Sequence, residues 1–238
     1  PVHAPAGTLQ GILHRLERQD DQAGEAFDRA AARDPDEPGP RAQRGLLRLA
    51  GGDAAGALED LTFALDRSSQ PEPLLLGQRA RARLSLGDPA AALIDCQRSL
   101  ELDPNQAYVV GLSGLAYKFL GQLPQALAAL DRAAAVDADL LPVRFNRATV
   151  RFMLGEVPGA LEDLEFVLAR APRDPDARYA RGVIRLNSGD RVGGREDLEL
   201  AAEISPRSLD MLTERGKARF VTGDPAGASD DFERALAL

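Results

Sequence analysis

The sequence predicts an all-α fold, a solenoid of seven helix–turn–helix repeats. Three observations carry that prediction. A Gly marker recurs at Gly52, Gly87, Gly121, Gly155, Gly189 and Gly223, with Arg18 in its place in the first copy, at spacings of 34, 35, 34, 34, 34 and 34 residues. A fixed period of that length belongs to stacked helical hairpins. Two positions are always Gly or Ala when each copy is numbered 1 to 34. Position 8 holds Gly11, Gly45, Ala80, Gly114, Ala148, Gly182 and Gly216, and position 20 holds Ala23, Ala57, Ala92, Ala126, Ala160, Gly194 and Ala228. Two antiparallel helix backbones can therefore approach closely there. No stretch shows the period-two alternation of a half-buried strand.

The elements follow in order. Residues 1–3 read as an N-terminal tail, and one solenoid domain covers 4–238. Repeat 1 (about 4–37) has Phe27 at position 24 and ends at Pro35; repeat 2 (38–71) has Leu61. Position 24 is large or soft and apolar throughout, and should plug the space between neighbouring helix pairs. The join Ser68-Ser69-Gln70-Pro71-Glu72-Pro73 contains one extra residue and reads as an altered turn rather than a hinge. Repeat 3 (73–106) contains Gly87-Asp88-Pro89, a helix stop, N-cap and first helical residue, then Cys96 and the terminating Pro104. Repeats 4 (107–140), 5 (141–174) and 6 (175–208) place Leu130, Leu164 and Leu198 at position 24, with Pro172 and Pro206 ending the last two. Repeat 7 (209–238) repeats the stop as Gly223-Asp224-Pro225 and carries Phe232.

A set of charges travels together through the repeats. Position 7 is Arg44, Arg79, Arg147, Arg181 and Arg215, and position 23 of the same repeats is Asp60, Asp95, Asp163, Asp197 and Asp231. Where position 7 is Gln10 or Ser113, position 23 is Ala26 or Ala129. Position 11 follows, with Arg48, Arg83, Arg151, Arg185 and Arg219 against His14 and Tyr117; position 16 is acidic in the same five repeats and Gln19 or Gln122 in the others. This coupling predicts that the position-7 Arg faces the position-23 Asp across one hairpin. The alternative is a strip of guanidinium groups that binds phosphate or nucleic acid. The acidic companion of every Arg favours pairing.

Composition narrows the function classes. The chain has 238 residues, 44% apolar and 28% charged, enough apolar residues for a continuous core. A net charge of −8 and a pI near 4.9 argue against nonspecific nucleic-acid binding. Lys occurs only at Lys118 and Lys217, and the Arg- and Ala-rich composition suggests a GC-rich bacterial source. No apolar run has the length of a membrane span, so no direct membrane insertion is expected, and no signal peptide is visible. The single Cys96 sits at a core position and reads as packing; it assigns no compartment, cytoplasmic or periplasmic. No metal-ligand spacing, phosphate-cradling loop or nucleophile motif occurs, so neither enzyme activity nor a cofactor or metal is expected. The pairs Glu59-Asp60, Glu162-Asp163 and Asp230-Asp231 recur in register, whereas a catalytic dyad would occur once. The start at Pro1 suggests an upstream segment removed or omitted. Repeat 7 stops at Leu238 without a solvating helix, so its end is expected to be covered by further chain, a partner or a second copy.

The small residues at 8 and 20, the apolar residue at 24 and the Pro at 32 resemble the tetratricopeptide repeat (TPR) family over almost the whole chain, from about Ala4 to Leu238. The family also favours Trp at 4, Leu at 7 and Tyr at 11; here there is no Trp, and only Tyr117 fits at 11. The resemblance implies a right-handed superhelix whose first helices line a concave surface. It makes a noncatalytic protein–protein interaction scaffold the expected function, with a peptide or protein as partner. The alternative it implies is a regulatory or targeting module of a larger enzyme or membrane-export assembly. Carried over position by position, it nominates Arg81, Tyr108, Lys118, Phe145, Asn146, Thr149, Tyr179, Val183, Asn187 and Lys217 as partner-binding residues. Rings supply contact area and amides bond a peptide backbone; the competing reading is that the aromatics fill gaps left by the missing Trp. The Lys and Asn of the family's clamp for acidic C-terminal peptides are Thr8 and Ile12 here, so that ligand is not expected. Self-association through the last repeat is a further expectation.

Overall fold

The structure, a computed structural model, describes residues 6–70 and 72–238. The expected tail at 1–3 and Pro71 of the irregular join lie outside the described residues. Fourteen α-helices and no strand occur among the described residues. They are α1 (Ala6–Leu16), α2 (Asp20–Arg33), α3 (Pro38–Ala50), α4 (Ala54–Arg67), α5 (Pro73–Ser85), α6 (Pro89–Leu102), α7 (Ala107–Phe119), α8 (Leu123–Val136), α9 (Leu141–Met153), α10 (Val157–Arg170), α11 (Pro175–Asn187), α12 (Arg191–Ile204), α13 (Leu209–Val221) and α14 (Pro225–Leu236). Each odd-numbered helix packs on the even one that follows, giving seven hairpins. Their contacts gather into two compact units, residues 1–136 with the first four hairpins and residues 137–238 with the last three. Within each unit the second helix of one hairpin also packs on the first helix of the next.

The Gly marker sits where the chain reverses. All six glycines adopt positive φ, from 72° to 94°, and Arg18 does so at 59°. A Cβ in that region costs about 1–2 kcal/mol, and a left-handed residue lets the next N–H return to the end of the helix. Asp53 N thus donates to Arg48 O, Asp88 N to Arg83 O and Asp190 N to Arg185 O, at 2.9–3.0 Å. The Asp that ends one helix starts the next: Asp53, Asp88, Asp190 and Asp224 each accept from a backbone N–H three residues on. Pro89 and Pro225 follow as first helical residues.

The apolar residue at position 24 does more than plug the space between pairs. It first closes its own hairpin against position 8. A Cβ on Gly45 would lie 3.0 Å from Leu61, on Gly114 2.6 Å from Leu130, and on Gly182 2.8 Å from Leu198. Leu61 then shares a core with Leu75 and Ala82 of the following hairpin. The absent Trp at position 4 is replaced in two repeats by arginine on an aromatic ring. Arg41 and Arg67 lie 3.7 and 3.8 Å from the Phe63 ring centre; Arg144 and Arg170 lie 4.1 and 3.5 Å from that of Phe166.

Candidate functional site

The paired charges are built into the hairpins. In five repeats the position-7 Arg grips the position-23 Asp in a fork, its Nε donating to one carboxylate oxygen at 2.8–2.9 Å and its Nη2 to the other. The position-11 Arg adds a second guanidinium at 2.8–2.9 Å. All five aspartates are buried. The hydrogen bond to Asp60 raises the pKa of Arg44, and Asp197 does the same to Arg181. These guanidinium groups are occupied by carboxylates of their own hairpins, the arrangement expected from their coupled occurrence.

The nominated partner-binding residues divide between the two units. In the first, Arg81 is exposed on α5 and its guanidinium lies beside the Tyr108 hydroxyl of α7. Tyr108 packs its ring on the core that holds Cys96 and Leu112. Burial raises the phenol's pKa, and Arg81 opposes the rise. Lys118, on the same helix but ten residues on and so about 15 Å away along its axis, sits over the Phe119 ring at 5.6 Å. Burial lowers its pKa. Tyr108 and Lys118 therefore stand at opposite ends of α7.

In the second unit, Phe145 of α9 packs against the core of Ala148, Leu164 and Val167, the gap-filling role that competed with binding in the sequence reading. Asn146 Nδ2 donates to Pro142 O at 2.8 Å, and Thr149 Oγ1 to Asn146 O at 2.8 Å. On α11, Tyr179 packs against Ala201, Ala202 and Met211. Burial raises its pKa, and the carboxylates of Glu214 and Asp210 on α13 push the same way. Asn187 is exposed and donates to Val183 O, one turn back, at 2.8 Å. Lys217 of α13 donates to Glu214 at 2.6 Å. Asn187 and Lys217 meet at a cavity of about 260 Å³ that Leu186, Arg191, Glu214 and Val221 also line. Glu214 and Arg191 were missed in the sequence: position 6 varies between repeats, and nothing in its spacing marks Glu214 as the partner of both Tyr179 and Lys217.

Seven helical hairpins on one 34-residue plan, with rings, amides and charges on their first helices, define an α-helical repeat scaffold for protein–protein interaction. The chain belongs to the tetratricopeptide repeat family: two tetratricopeptide repeat models match residues 43–107 and 120–185. It is similar to the heat shock protein sti1 homolog of Schizosaccharomyces pombe, 36% identical over 100 residues, which is 41% of this chain and 17% of that protein. The chain thus spans a small part of that relative's length. Among solved structures, a tetratricopeptide repeat protein from Parabacteroides merdae superposes with a TM-score of 0.75 at 20% identity, covering 97% of this chain and 91% of that one. A structure of the APC/C hetero-tetramer Cut9–Hcn1 gives 0.78 at 16% identity, covering 87% and 41%. Among the described residues no helix is long and apolar enough to cross a membrane.

Proposed function

We propose that this protein is a noncatalytic scaffold that holds an extended peptide segment of a partner protein against its first helices, with the principal contact on α11 and α13. The observation that carries this reading is the cavity shared by Asn187, Lys217 and Glu214 with Leu186 and Val221. It offers apolar surface for a side chain beside an amide, an ammonium and a carboxylate, the mixture that peptide recognition uses. One N–H of the Asn187 amide is engaged on its own helix, which leaves the other N–H and the carbonyl to meet a peptide backbone. Tyr179, half-buried one turn before Val183, extends the same helix face. Arg81 and Tyr108 form a second, smaller contact in the first unit.

The test is a peptide selection on the wild-type chain, with dissociation constants then measured for the variant Tyr179→Ala, Asn187→Ala, Lys217→Ala. A loss of affinity of tenfold or more, with helicity unchanged, supports the α11–α13 face. Unchanged affinity there, with loss in Arg81→Ala, Tyr108→Ala, would move recognition to the first unit. A second reading, that the repeats serve as a targeting or regulatory part of a larger assembly, is favoured by the small share of the sti1 homolog and of the Cut9–Hcn1 chain that this chain covers. Pull-down of the same partner by the repeats alone and by the full gene product would separate the two.

A further inference from the structure

Three hairpins carry Arg at position 4, namely Arg41, Arg144 and Arg178. Two of them set a ring on it. The Phe63 ring takes the guanidinium groups of Arg41 and Arg67, and the Phe166 ring those of Arg144 and Arg170. The second arginine of each stack is held by an Asp at position 33 of the preceding repeat. Arg67 pairs with Asp36 at 3.5 Å, and Arg170 with Asp139 at 2.9 Å.

The α11–α12 hairpin builds the inner half of the same stack. Arg178 Nε and Nη2 donate to Pro172 O at 2.9 and 2.6 Å, and its Nη1 lies 3.6 Å from Asp197. Arg144 is anchored in the same way, Nε donating to Ala138 O at 3.2 Å and Nη1 to Asp163 at 3.1 Å. The two side chains are exposed to the same degree, 19% and 18%. Each nitrogen of Arg178 is thereby turned to its own chain, and the flat face is what the guanidinium offers. Over Arg144 that face meets Phe166. Over Arg178, position 26 is the exposed Leu200 and position 30 is Ile204. These shorter side chains border an open cavity of about 360 Å³, lined also by Pro172, Arg173, Arg178 and Glu203. The second guanidinium has changed place: Arg173 stands at the position that is Asp36 or Asp139 in the other two. The cavity therefore keeps two arginines and an apolar wall, and differs from the filled stacks in the ring.

We propose that this cavity receives an aromatic side chain of a partner protein. The ring lies on the Arg178 guanidinium, Arg173 closes over it, and Leu200 and Ile204 pack its edge. Complementarity of charge selects this occupant, because the face of an aromatic ring is negative and two cations border the cavity. Room is sufficient, since a cavity of about 150 Å³ already takes benzene. A ring carrying phosphate fits worse: Glu203 lines the cavity, and the Arg178 nitrogens are already engaged. The cavity shares no residue with that of Asn187 and Lys217. Arg178 precedes Asn187 by nine residues, about 14 Å along α11, so this inference does not rest on the peptide-binding reading.

NMR titration of the 238-residue chain with N-acetyl-L-phenylalaninamide tests it, read at the Leu200 and Ile204 methyl groups and at Arg178 Nε–H. Upfield ring-current shifts are expected at all three, bringing Arg178 Nε–H toward the resonance of Arg144 Nε–H beside Phe166. N-acetyl-L-leucinamide should bind at least fivefold more weakly and give no such shift. Leu200→Phe supplies a ring from within and should abolish the response at Ile204 and Arg178. Arg173→Ala, at an exposed site, should weaken binding at least twofold, and decides alone if Leu200→Phe lowers helicity. No shift up to the solubility limit, an equal response to the leucine probe, or a response unchanged in the folded variants overturns the proposal. A stronger response to adenosine monophosphate overturns it in favour of a nucleotide. A wild-type dimer lost in Leu200→Phe, seen by light scattering, overturns it in favour of a second copy.

Discussion

In the α9–α10 hairpin the space between the helices is held by Asp163, wholly buried and bonded to Arg144, Arg147 and Arg151. In the α7–α8 hairpin the positions corresponding to Arg147, Arg151 and Asp163 carry Ser113, Tyr117 and Ala129. Ser113 spends its hydroxyl on its own helix, donating to Val109 O at 3.1 Å, and α7 buries Val109, Val110, Leu112 and Ala116. Both hairpins close on a fully buried Leu at position 24, Leu130 in one and Leu164 in the other. The same backbone frame is thus filled once by a carboxylate gripped by guanidinium groups and once by neutral side chains. A buried ion pair is often no better than a well-packed neutral replacement, but half of one is far worse than either. That asymmetry explains why the charges appear or vanish as a set.

The comparison can be broken at its centre. Asp163→Ala leaves three guanidinium groups without their shared acceptor and should cost about 3–5 kcal/mol, read as a shift in the urea midpoint. Leu130→Ala and Leu164→Ala should each cost about 2–5 kcal/mol and, more to the point, nearly the same; a large difference would mean that the charged filling changes how the apolar part packs. Gly155→Ala, at φ 83° with open space around the added methyl, should cost about 1–2 kcal/mol of backbone strain and leave both hairpins otherwise intact. The smallest effect is expected from the most drastic change. Converting the α9–α10 hairpin to the neutral set by Arg144→Val, Arg147→Ser, Arg151→Tyr, Glu156→Gln and Asp163→Ala together should finish within about 1 kcal/mol of wild type. A combined variant as unstable as Asp163→Ala alone would refute the account of the set as interchangeable.

The hairpins, their turns and the Arg–Asp pairing were legible because each recurs. Seven copies supply the comparison that a single occurrence could not, and the coupled loss at Ser113 and Ala129 pointed to a contact before any distance was known. The third guanidinium on Asp163, from Arg144, was not legible, since position 4 is Arg in only some repeats. The same holds for the rings of Phe63 and Phe166, which take arginines from positions 4 and 30. The candidate site was legible as a helix face but not as a cluster. Helical position puts Tyr179 and Asn187 on one side of α11, yet their approach to Glu214 and Lys217 depends on how α13 packs beside it. Phe145 illustrates the limit: its position suggests the surface, and its ring is half-buried against the core of its hairpin.

Cys96 has a use that its burial creates. Its thiol is completely enclosed, and burial pushes its pKa up to about 12 against an opposing hydrogen bond with Ser113. At neutral pH it therefore reacts with a thiol reagent only while α6 and α7 are parted. In an array whose repeats touch only their neighbours, that parting can be local. As the chain's one sulfhydryl, it is a built-in clock for a single rung: the rate at which it is labelled, set against the rate of whole-chain unfolding, tells whether the third and fourth hairpins breathe on their own or come apart only with everything else.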